Sequence, residues 1–243
     1  MTDKIAAIIL GAGKGTRMKS DLPKVMMPVA GEPMIKHILN TLKPMGVSKI
    51  VTVISKDGEL VKNETAPFDT VVQYEQLGTG HAVLCAKDKL NDFDGTVLVI
   101  FGDTPLITAK TFMKAAQKVK EGYAVVVLGF RPKDAARYGR LKMNDSELLG
   151  IVEYKDATDE EKAIDFCNSG CMGFDGKYMF KILSRIGNEN AAKEYYLTDA
   201  VQIARQMGLK CTAIEGNPKE VASANTREEL AQLDEFFKER SSW

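Results

Sequence analysis

The chain has 243 residues, 44% of them hydrophobic, and its 33 basic residues balance its 33 acidic ones. This length and apolar content suit one large domain with a sizeable core. A neutral chain gives no electrostatic reason to expect a nucleic-acid or membrane-surface partner. No stretch approaches the roughly 20 consecutive apolar residues of a transmembrane helix, so we expect no membrane partner.

Cysteine use indicates a reducing compartment. The four scattered cysteines are Cys85, Cys167, Cys171 and Cys211. Their spacing predicts neither a disulfide framework nor a complete zinc site. The N-terminus also lacks the pattern of a secretory signal peptide. We therefore expect a cytoplasmic protein.

Strands and helices alternate over the first 130 residues. Apolar runs predict strands at Ile5–Leu10, Lys49–Ile54, Thr70–Gln73, Thr96–Phe101 and Tyr123–Phe130. Helical patterns lie between them at Pro33–Met45, Gly80–Leu90 and Thr108–Glu121. This alternation predicts βαβ units and an α/β, Rossmann-like fold with a mixed, mostly parallel sheet flanked by helices.

The pattern changes after residue 130. Gly139–Met143 and Leu148–Glu153 predict a hairpin, and Asn168–Phe174 predicts a further strand. Thr226 and Glu229 have the spacing of a capping box and predict the start of a C-terminal helix. We interpret the chain as a single domain whose three parts are 1–130, 131–225 and the helix 226–243.

A glycine-rich loop follows the first strand. Gly11, Gly13 and Gly15 let the backbone turn sharply and approach a ligand, and their N–H groups can face a phosphate chain. Arg17 and Lys24 place two cations just beyond this turn. The loop is therefore typical of a polyphosphate site at the end of a strand.

Two common phosphate motifs do not fit this loop. A P-loop requires Ser or Thr after its lysine, whereas Lys14 is followed by glycine. A dinucleotide fingerprint requires a third glycine where Thr16 stands. The residues alone leave a flexible glycine turn with solvated cations as the alternative.

The run from Leu10 to Met18 reads L-x-x-G-x-G-T-R-M and is followed by Pro23-Lys24. It resembles the signature of sugar-1-phosphate nucleotidyltransferases, above all the uridylyltransferase domains of bifunctional N-acetylglucosamine-1-phosphate uridylyltransferases. The likeness extends from about Lys4 to about Leu233. It implies the nucleotide-diphospho-sugar transferase fold and an enzyme that uses UTP and a sugar-1-phosphate.

The resemblance assigns roles to the loop and its cations. Arg17 and Lys24 would be catalytic, Arg17 on the leaving pyrophosphate and Lys24 at the α-phosphate. The loop residues that would bind the nucleotide are Leu10, Gly11, Gly13, Lys14 and Gly15.

Asp103 follows the predicted strand Thr96–Phe101, at the strand end where ligands of open α/β sheets bind. The residues alone allow either a metal-binding carboxylate or a turn and N-cap residue. The resemblance implies that Asp103, which would also be catalytic, binds Mg²⁺ together with the distant Asn225.

A glutamine-rich segment carries the base-recognition signal. A glutamine amide offers the donor and acceptor that the N3–O4 edge of uracil needs. The resemblance implies that Gln73 and Gly78 bind the uracil and that Thr79 lies near the sugar and the nucleotide. We expect His81 to cap or pack at its helix start, because a sugar phosphate with a second pKa of about 6 needs no general base.

The resemblance places the sugar-binding residues in the second half. They are Gly139, Glu153, Asn168, Tyr196 and Thr198. Carboxylate, amide and backbone groups suit the hydroxyls of a sugar. Three positions differ from the family pattern: Phe101 replaces a tyrosine, Ser169 a threonine and Gly11 an alanine.

The expected reaction transfers UMP from UTP to N-acetylglucosamine-1-phosphate. Because two of the differences lie near the sugar, glucose-1-phosphate and N-acetylgalactosamine-1-phosphate stay open, as do transfer of CMP or GMP and a non-catalytic binding module. Bifunctional members continue into an acetyltransferase domain of hexapeptide repeats, and this sequence contains none. Both a stand-alone and a larger enzyme fit that pattern, and no oligomeric state is predicted.

Overall fold

The computed structural model describes residues 4–13, 15, 20–135 and 138–240. In chain order the strands are β1 (Ile5–Leu10), β2 (Pro28–Val29), β3 (Glu32–Pro33), β4 (Lys49–Ser55), β5 (Asp69–Gln73), β6 (Thr96–Phe101), β7 (Val125–Phe130), β8 (Arg140–Asn144), β9 (Glu147–Val152), β10 (Cys167–Asp175) and β11 (Cys211–Glu215). The α-helices are α1 (Met34–Leu42), α2 (Glu59–Thr65), α3 (Thr79–Leu84), α4 (Lys87–Leu90), α5 (Ala109–Lys120), α6 (Asp159–Lys162), α7 (Gly176–Leu183), α8 (Asp199–Gln206) and α9 (Arg227–Glu239).

The main sheet has the strand order β11-β7-β10-β6-β1-β4-β5. β10 runs antiparallel to both of its neighbours, whereas the other strands of this series are parallel to one another. The hairpin of β8 and β9 joins through β10. The expected mixed, mostly parallel sheet is therefore present.

The register brings several strand ends to one edge. Leu10 pairs with Phe101 on β6 and with Val53 on β4, and Ser55 pairs with Gln73 on β5. Because β10 is antiparallel, its beginning rather than its end lies at this edge. Ligands of open α/β sheets bind at the carboxyl ends of the strands, so this edge is where a site is expected.

Both faces of the sheet are covered. Along β1, Ala6 and Ile8 pack into one hydrophobic cluster, while Ala7 and Ile9 pack into a second cluster on the opposite face. Strands buried on both faces explain why the sequence shows continuous apolar runs rather than alternation.

The predicted elements of the first half are confirmed, with shifted boundaries. The helix predicted at Pro33–Met45 is α1 followed by a 3₁₀ turn at Lys43–Met45. The helix predicted at Gly80–Leu90 is divided into α3 and α4, because the chain leaves the helix at Cys85 and Ala86.

In the second half, the predicted hairpin and the strand predicted at Asn168–Phe174 are confirmed, and Asp145 takes the left-handed turn conformation with φ 51°. The elements that the patterns did not predict are β2, β3, β11, α2, α6, α7 and α8. All of these have eight residues or fewer, and β2, β3 and α6 are too short for a repeating pattern to be recognised.

The capping box predicted at α9 is half correct. Thr226 accepts the N–H of Glu229, as predicted, but the Glu229 carboxylate accepts from the N–H of Asn225 instead of closing the box. A complete box forms at α6 between Thr158 and Glu161. The two N-cap residues differ in φ, which is −129° at Thr226 and −67° at Thr158. This rotation about the N–Cα bond points the N–H of Thr226 in a different direction from that of Thr158.

All four cysteines are free thiols. Within the described residues, every helix is too short or too polar to cross a lipid bilayer.

Candidate functional site

Two adjoining cavities open at the carboxyl edge of the sheet. The smaller has a volume of about 330 Å³ and the larger about 700 Å³, and they share Thr79, Phe101 and Glu194. A third cavity of about 400 Å³ shares Gly13, Gln73 and Gln76 with the smaller one. Together they form a continuous cleft across the ends of the strands.

The cleft collects most of the residues that the sequence singled out. Those lining the smaller cavity are Leu10, Gly13, Lys24, Gln73, Gly78, Thr79 and Asp103. Those lining the larger cavity are Thr79, Gly139, Glu153, Asn168, Tyr196, Thr198 and Asn225. Lys14 and Arg17 lie outside the described residues.

Two described glycines of the loop serve packing within the protein. The N–H of Gly11 donates to the Val53 carbonyl at 2.8 Å, which ties the loop to β4. Gly15 has φ 59°, and a Cβ there would lie 2.8 Å from the Cβ of Lys24. Gly13, by contrast, faces open space, because a Cβ there would have no atom within 4 Å.

Lys24 connects the two residues expected to bind a metal. Its ammonium forms an ion pair with the Asp103 carboxylate and donates to Asn225 Oδ1 at 2.8 Å. The side chains of Lys24 and Asp103 are only 13% and 17% exposed. Two residues that are far apart in sequence thus direct oxygen atoms at one cation.

Close backbone packing places Asp103 at this point. The N–H of Gly102 donates to the Leu10 carbonyl at 2.9 Å. A Cβ at Gly102 would lie 2.7 Å from Val25 Cγ1, one residue after Lys24. Glycine is needed here because it lets the end of β6 approach both β1 and the 3₁₀ turn that carries Lys24.

Asn225 reaches the site from the loop between β11 and α9. Glu220 in this loop is only 5% exposed, and its carboxylate accepts the hydroxyls of Thr108 at 2.7 Å and Thr111 at 2.6 Å. Ala224 is fully buried in a small core cluster beside α9. These contacts hold the loop on the N-terminal side of Asn225.

The donor set at Lys24 can also be judged as a metal site. Asp103 supplies a carboxylate oxygen and Asn225 an amide oxygen, which are hard ligands. No cluster of three or more His, Cys, Asp and Glu side chains suited to a metal occurs in the described part of the chain. The pair therefore suits a cation that completes its shell with water or phosphate oxygens, and it does not suit zinc.

Gln73 is buried at the end of β5. Its amide donates to the Gly78 carbonyl at 3.2 Å and to His81 Nδ1 at 3.1 Å. His81 lies in the first turn of α3, as expected, and it also orients this amide. Gln73 and Gly78, the two residues predicted to recognise a base, are thus adjacent and joined by a hydrogen bond.

The Leu77–Gly80 segment packs tightly against the chain at Tyr195. The N–H of Tyr195 donates to the Leu77 carbonyl and the N–H of Gly80 donates to the Tyr195 carbonyl, both at 2.8 Å. Thr79 Oγ1 accepts the N–H of Leu197 at 3.0 Å. This segment therefore joins the two cavities by backbone contacts.

On the side of the larger cavity, Thr198 donates its hydroxyl to Glu153 Oε1 at 3.0 Å. The N–H of Asn168 donates to the Gly139 carbonyl at 2.9 Å, and Asn168 Oδ1 accepts the N–H of Gly170. These contacts join the end of β9 to the start of α8, and the start of β8 to β10, around one cavity.

Three acidic side chains, Glu153, Glu194 and Glu229, line this cavity and give it an acidic wall, and Asp156 and Asp199 lie near Glu153. Burial raises the pKa of Glu153 above its ordinary value, Thr198 partly offsets this, and Asp156 and Asp199 add to it. Burial is the main cause that raises the pKa of Asp199, and the charge of Asp156 adds to it. Burial is also the main cause that raises the pKa of Tyr196, with smaller contributions from the charges of Asp156 and Glu153. The wall is thus a poor site for an anion and a good one for hydroxyl or amide N–H donors.

Several cleft residues were not expected from the sequence. They are Gln76, Tyr154, Lys155, Glu194, Ser223 and Glu229. The sequence pattern predicts only a helix cap for Glu229. Nothing in the local sequence distinguishes Glu194 or Lys155 from surface charges.

Comparison with known proteins identifies the domain. A family model of the MobA-like NTP transferase domain matches residues 7–241. The bifunctional protein GlmU of Rhodospirillum rubrum is 51% identical over 239 residues, covering 98% of this chain and 54% of that protein. GlmU of Paramagnetospirillum magneticum is 48% identical over 241 residues, with the same coverage. The chain thus spans about half the length of these curated relatives.

Two solved structures share the fold. A Bacillus anthracis protein described as a glucose-1-phosphate thymidylyltransferase gives a TM-score of 0.75 at 20% identity, covering 95% of this chain and 94% of that one. A UDP-glucose pyrophosphorylase solved with UDP-glucose gives 0.76 at 17% identity, covering 98% and 99%. The expected nucleotide-diphospho-sugar transferase fold is confirmed. The match over nearly the whole sequence establishes that this chain belongs to the MobA-like NTP transferase domain family.

Proposed function

We propose that this domain transfers UMP from UTP to N-acetylglucosamine-1-phosphate, giving UDP-N-acetylglucosamine and pyrophosphate. The observation that carries the proposal is the position of Lys24, Asp103 and Asn225. They meet where the smaller cavity, with its base-recognition residues, adjoins the larger cavity, with its hydroxyl-binding residues. The reacting phosphates of a nucleotide and a sugar phosphate would have to meet at such a junction.

In the proposed reaction, an oxygen of the sugar phosphate attacks the α-phosphorus of UTP and pyrophosphate leaves. The attacking oxygen is already anionic near neutral pH, so no protein base is needed. Catalysis then consists of positioning and electrostatic stabilisation. Lys24 would bridge the α-phosphate and the sugar phosphate, and Arg17 with the glycine loop would stabilise the leaving pyrophosphate.

Asp103 and Asn225 would hold Mg²⁺, and their two oxygens fit its preference for few protein ligands completed by water and phosphate. When bound, the ion would neutralise charge on the reacting phosphates. Lys24 directs its ammonium at the same two oxygens in this structure. When the cation binds these oxygens, the Lys24 ammonium would therefore turn from them to the phosphates.

Uridine selection would rest on Gln73 and Gly78. Both line the smaller cavity, and the hydrogen bond between them would be exchanged for contacts with N3 and O4 of uracil. Residues 1–130 would bind the nucleotide and residues 131–225 the sugar. Residues 226–243, which include α9, would close the domain beside Asn225.

The choice of N-acetylglucosamine is supported by the hydroxyl- and amide-binding character of the larger cavity. Phe101 lines both cavities with a ring that has no hydroxyl, packed on Gly170. This side chain keeps glucose-1-phosphate and N-acetylgalactosamine-1-phosphate as competing acceptors. The four free cysteines support a reducing compartment, the cytoplasm, as the place of action.

The decisive experiment is a matrix of UTP, CTP and GTP against the three sugar-1-phosphates, with Mg²⁺ and detection of released pyrophosphate. We expect UTP with N-acetylglucosamine-1-phosphate to give the highest kcat/KM, about 10²-fold above CTP, because CTP reverses the hydrogen-bonding groups at the base edge. A better acceptor among the other sugars would correct the substrate. Calorimetric UTP binding without pyrophosphate release would instead indicate a binding module.

A further inference from the structure

The chain contains the same helix-start pattern twice, and the two copies behave differently. At α6, Glu161 closes the box by accepting the N–H of Thr158 at 3.0 Å. At α9, Glu229 accepts the N–H of Asn225 at 2.6 Å, one residue before the N-cap. The second carboxylate therefore holds the backbone of a cleft residue.

Three further facts link Glu229 to the site. It lines the larger cavity together with Asn225. The Asn225 side chain, on the other side of the same residue, accepts from Lys24 at 2.8 Å. The preceding loop is anchored at Glu220, so Glu229 supplies the second attachment, next to the amide oxygen that faces Lys24 and Asp103.

We propose that Glu229 is a positioning residue that holds Asn225 as a ligand for the divalent cation. This inference rests on the proposed function, since it assumes that Asn225 and Asp103 receive the ion. A hydrogen bond from a peptide N–H to a carboxylate is stronger than one to a neutral acceptor. It restricts the Asn225 backbone and so limits the directions in which its amide oxygen can point.

Methionine provides the cleanest substitution. It matches glutamate in length and helix propensity but has no strong acceptor, so Glu229→Met removes the contact to the Asn225 N–H. Glu229→Gln keeps a carbonyl acceptor at the same place. Glu228→Met removes the adjacent, exposed carboxylate of the same helix turn, which hydrogen-bonds to the Thr226 side chain, and Glu161→Met removes a closed capping box elsewhere.

The first measurement is binding of Mn²⁺ alone, monitored by electron paramagnetic resonance on each full-length variant. Glu229→Met should weaken binding about tenfold, the usual cost of losing an outer partner of a metal ligand. Glu229→Gln should stay within about threefold of the wild type, and both control variants should match the wild type. Asp103→Asn serves as the reference variant, because it removes the charge of the proposed cation ligand itself.

The second measurement is the Mg²⁺ concentration for half-maximal pyrophosphate release, together with KM for the sugar phosphate and the melting temperature. A higher Mg²⁺ requirement for Glu229→Met, relieved in Glu229→Gln, supports the positioning role. A raised sugar KM with unchanged metal dependence would overturn it in favour of direct sugar contact. So would equal loss in Glu229→Met and Glu161→Met, or wild-type Mn²⁺ binding no tighter than that of Asp103→Asn.

The two proposals can fail separately. If the variants differ in Mn²⁺ binding as expected, but the wild type releases no pyrophosphate with any pair of substrates, the proposed function fails and the role of Glu229 stands. If it releases pyrophosphate while Glu229→Met binds Mn²⁺ like the wild type, only the positioning role fails.

Discussion

Lys24 shows how a single side chain can organise a site. Its ammonium is shared between a carboxylate 79 positions away and an amide 201 positions away. The pair with Asp103 is mostly buried, so it is screened by solvent less than a surface ion pair. Loss of Asp103 would therefore leave the ammonium without its counter-charge and change the charge placement at the cleft.

Asp103→Asn tests that placement. It keeps an oxygen ligand but removes the negative charge, so we expect kcat to fall about 10²–10³-fold, the usual cost of one electrostatic partner. Pyrophosphate release measures the effect, with circular dichroism to verify folding. Asp88→Asn, on the exposed face of α4, should leave kcat unchanged. A folded Asp103→Asn variant with near wild-type turnover would show that Asp103 does not act on the reacting phosphates.

The substitution Glu153→Gln tests the acidic wall through the pH dependence of folding stability. Burial raises the pKa of Glu153 above its ordinary 4.5, so ionisation in the folded state costs stability as pH rises through the raised value. Asp156, Asp199 and Tyr196 face the same region and do not relieve this cost. The variant should therefore gain stability relative to the wild type as pH rises from about 5 to about 8, measured by urea unfolding.

The matched control for that measurement is Glu160→Gln, an exposed carboxylate on α6. Its stability difference from the wild type should stay constant over the same pH range. A pH-independent difference for Glu153→Gln would mean that Glu153 has the same pKa in the folded and unfolded chain.

At the scale of elements, the Leu77–Gly80 segment contributes both to the smaller cavity and to the packing of the chain at Tyr195. Gly78 and Thr79 line the smaller cavity, and the backbone of Leu77 and Gly80 joins the chain at Tyr195 through two hydrogen bonds. Gly78 has φ 115°, and a Cβ there would lie 2.7 Å from the Tyr195 carbonyl oxygen. The glycine is therefore required by the fold, whatever it contacts in a ligand.

Gly78→Ala should consequently destabilise the domain. Strain at a positive φ and collision with backbone should together cost about 2 kcal/mol or more. For a chain of this length, that corresponds to a fall in Tm of roughly 4–8 °C, measured by calorimetry. Gly187→Ala has no atom within 4 Å of its added Cβ and should change Tm little. Equal effects of the two substitutions would contradict this account.

At the scale of the molecule, one antiparallel strand decides how the two halves meet. β10 lies between β6 and β7, so its beginning, with Asn168, lies at the same edge as the ends of the parallel strands. The hairpin of β8 and β9 is attached there through β10. The cleft is consequently lined by both halves of the chain, and a ligand spanning them should stabilise the whole fold.

UDP-N-acetylglucosamine tests that linkage. At about 100 times its Kd it should raise the unfolding free energy by about 2.7 kcal/mol, measured as a thermal shift. CDP-linked sugar should give less, because Gln73 and Gly78 would lose their pairing with the base. In Thr198→Val, we expect the difference between UDP-N-acetylglucosamine and UDP to shrink. No stabilisation of the wild type by either uridine nucleotide would contradict a ligand bound across both halves.

The sequence by itself determined the long strands, the mostly parallel sheet and the chemical groups that follow the strand ends. Apolar runs, glycine spacing and cap patterns are local, so they can be recognised without knowing the fold. Lys24, Asp103 and Gln73 each follow such a signal. The resemblance to a known family added Asn225 and the residues around the larger cavity, which no local pattern distinguishes.

Tertiary structure alone decided which of these groups meet. The direction of β10, the packing of Leu77–Gly80 on Tyr195 and the contact of Glu229 with Asn225 all depend on segments that are joined only by folding. Thr226 caps α9 as predicted, but the Glu229 carboxylate binds the N–H of Asn225, because the chain approaches α9 with a different N-cap conformation from the one before α6. Local patterns specify elements, whereas long-range packing specifies which side chains share a site.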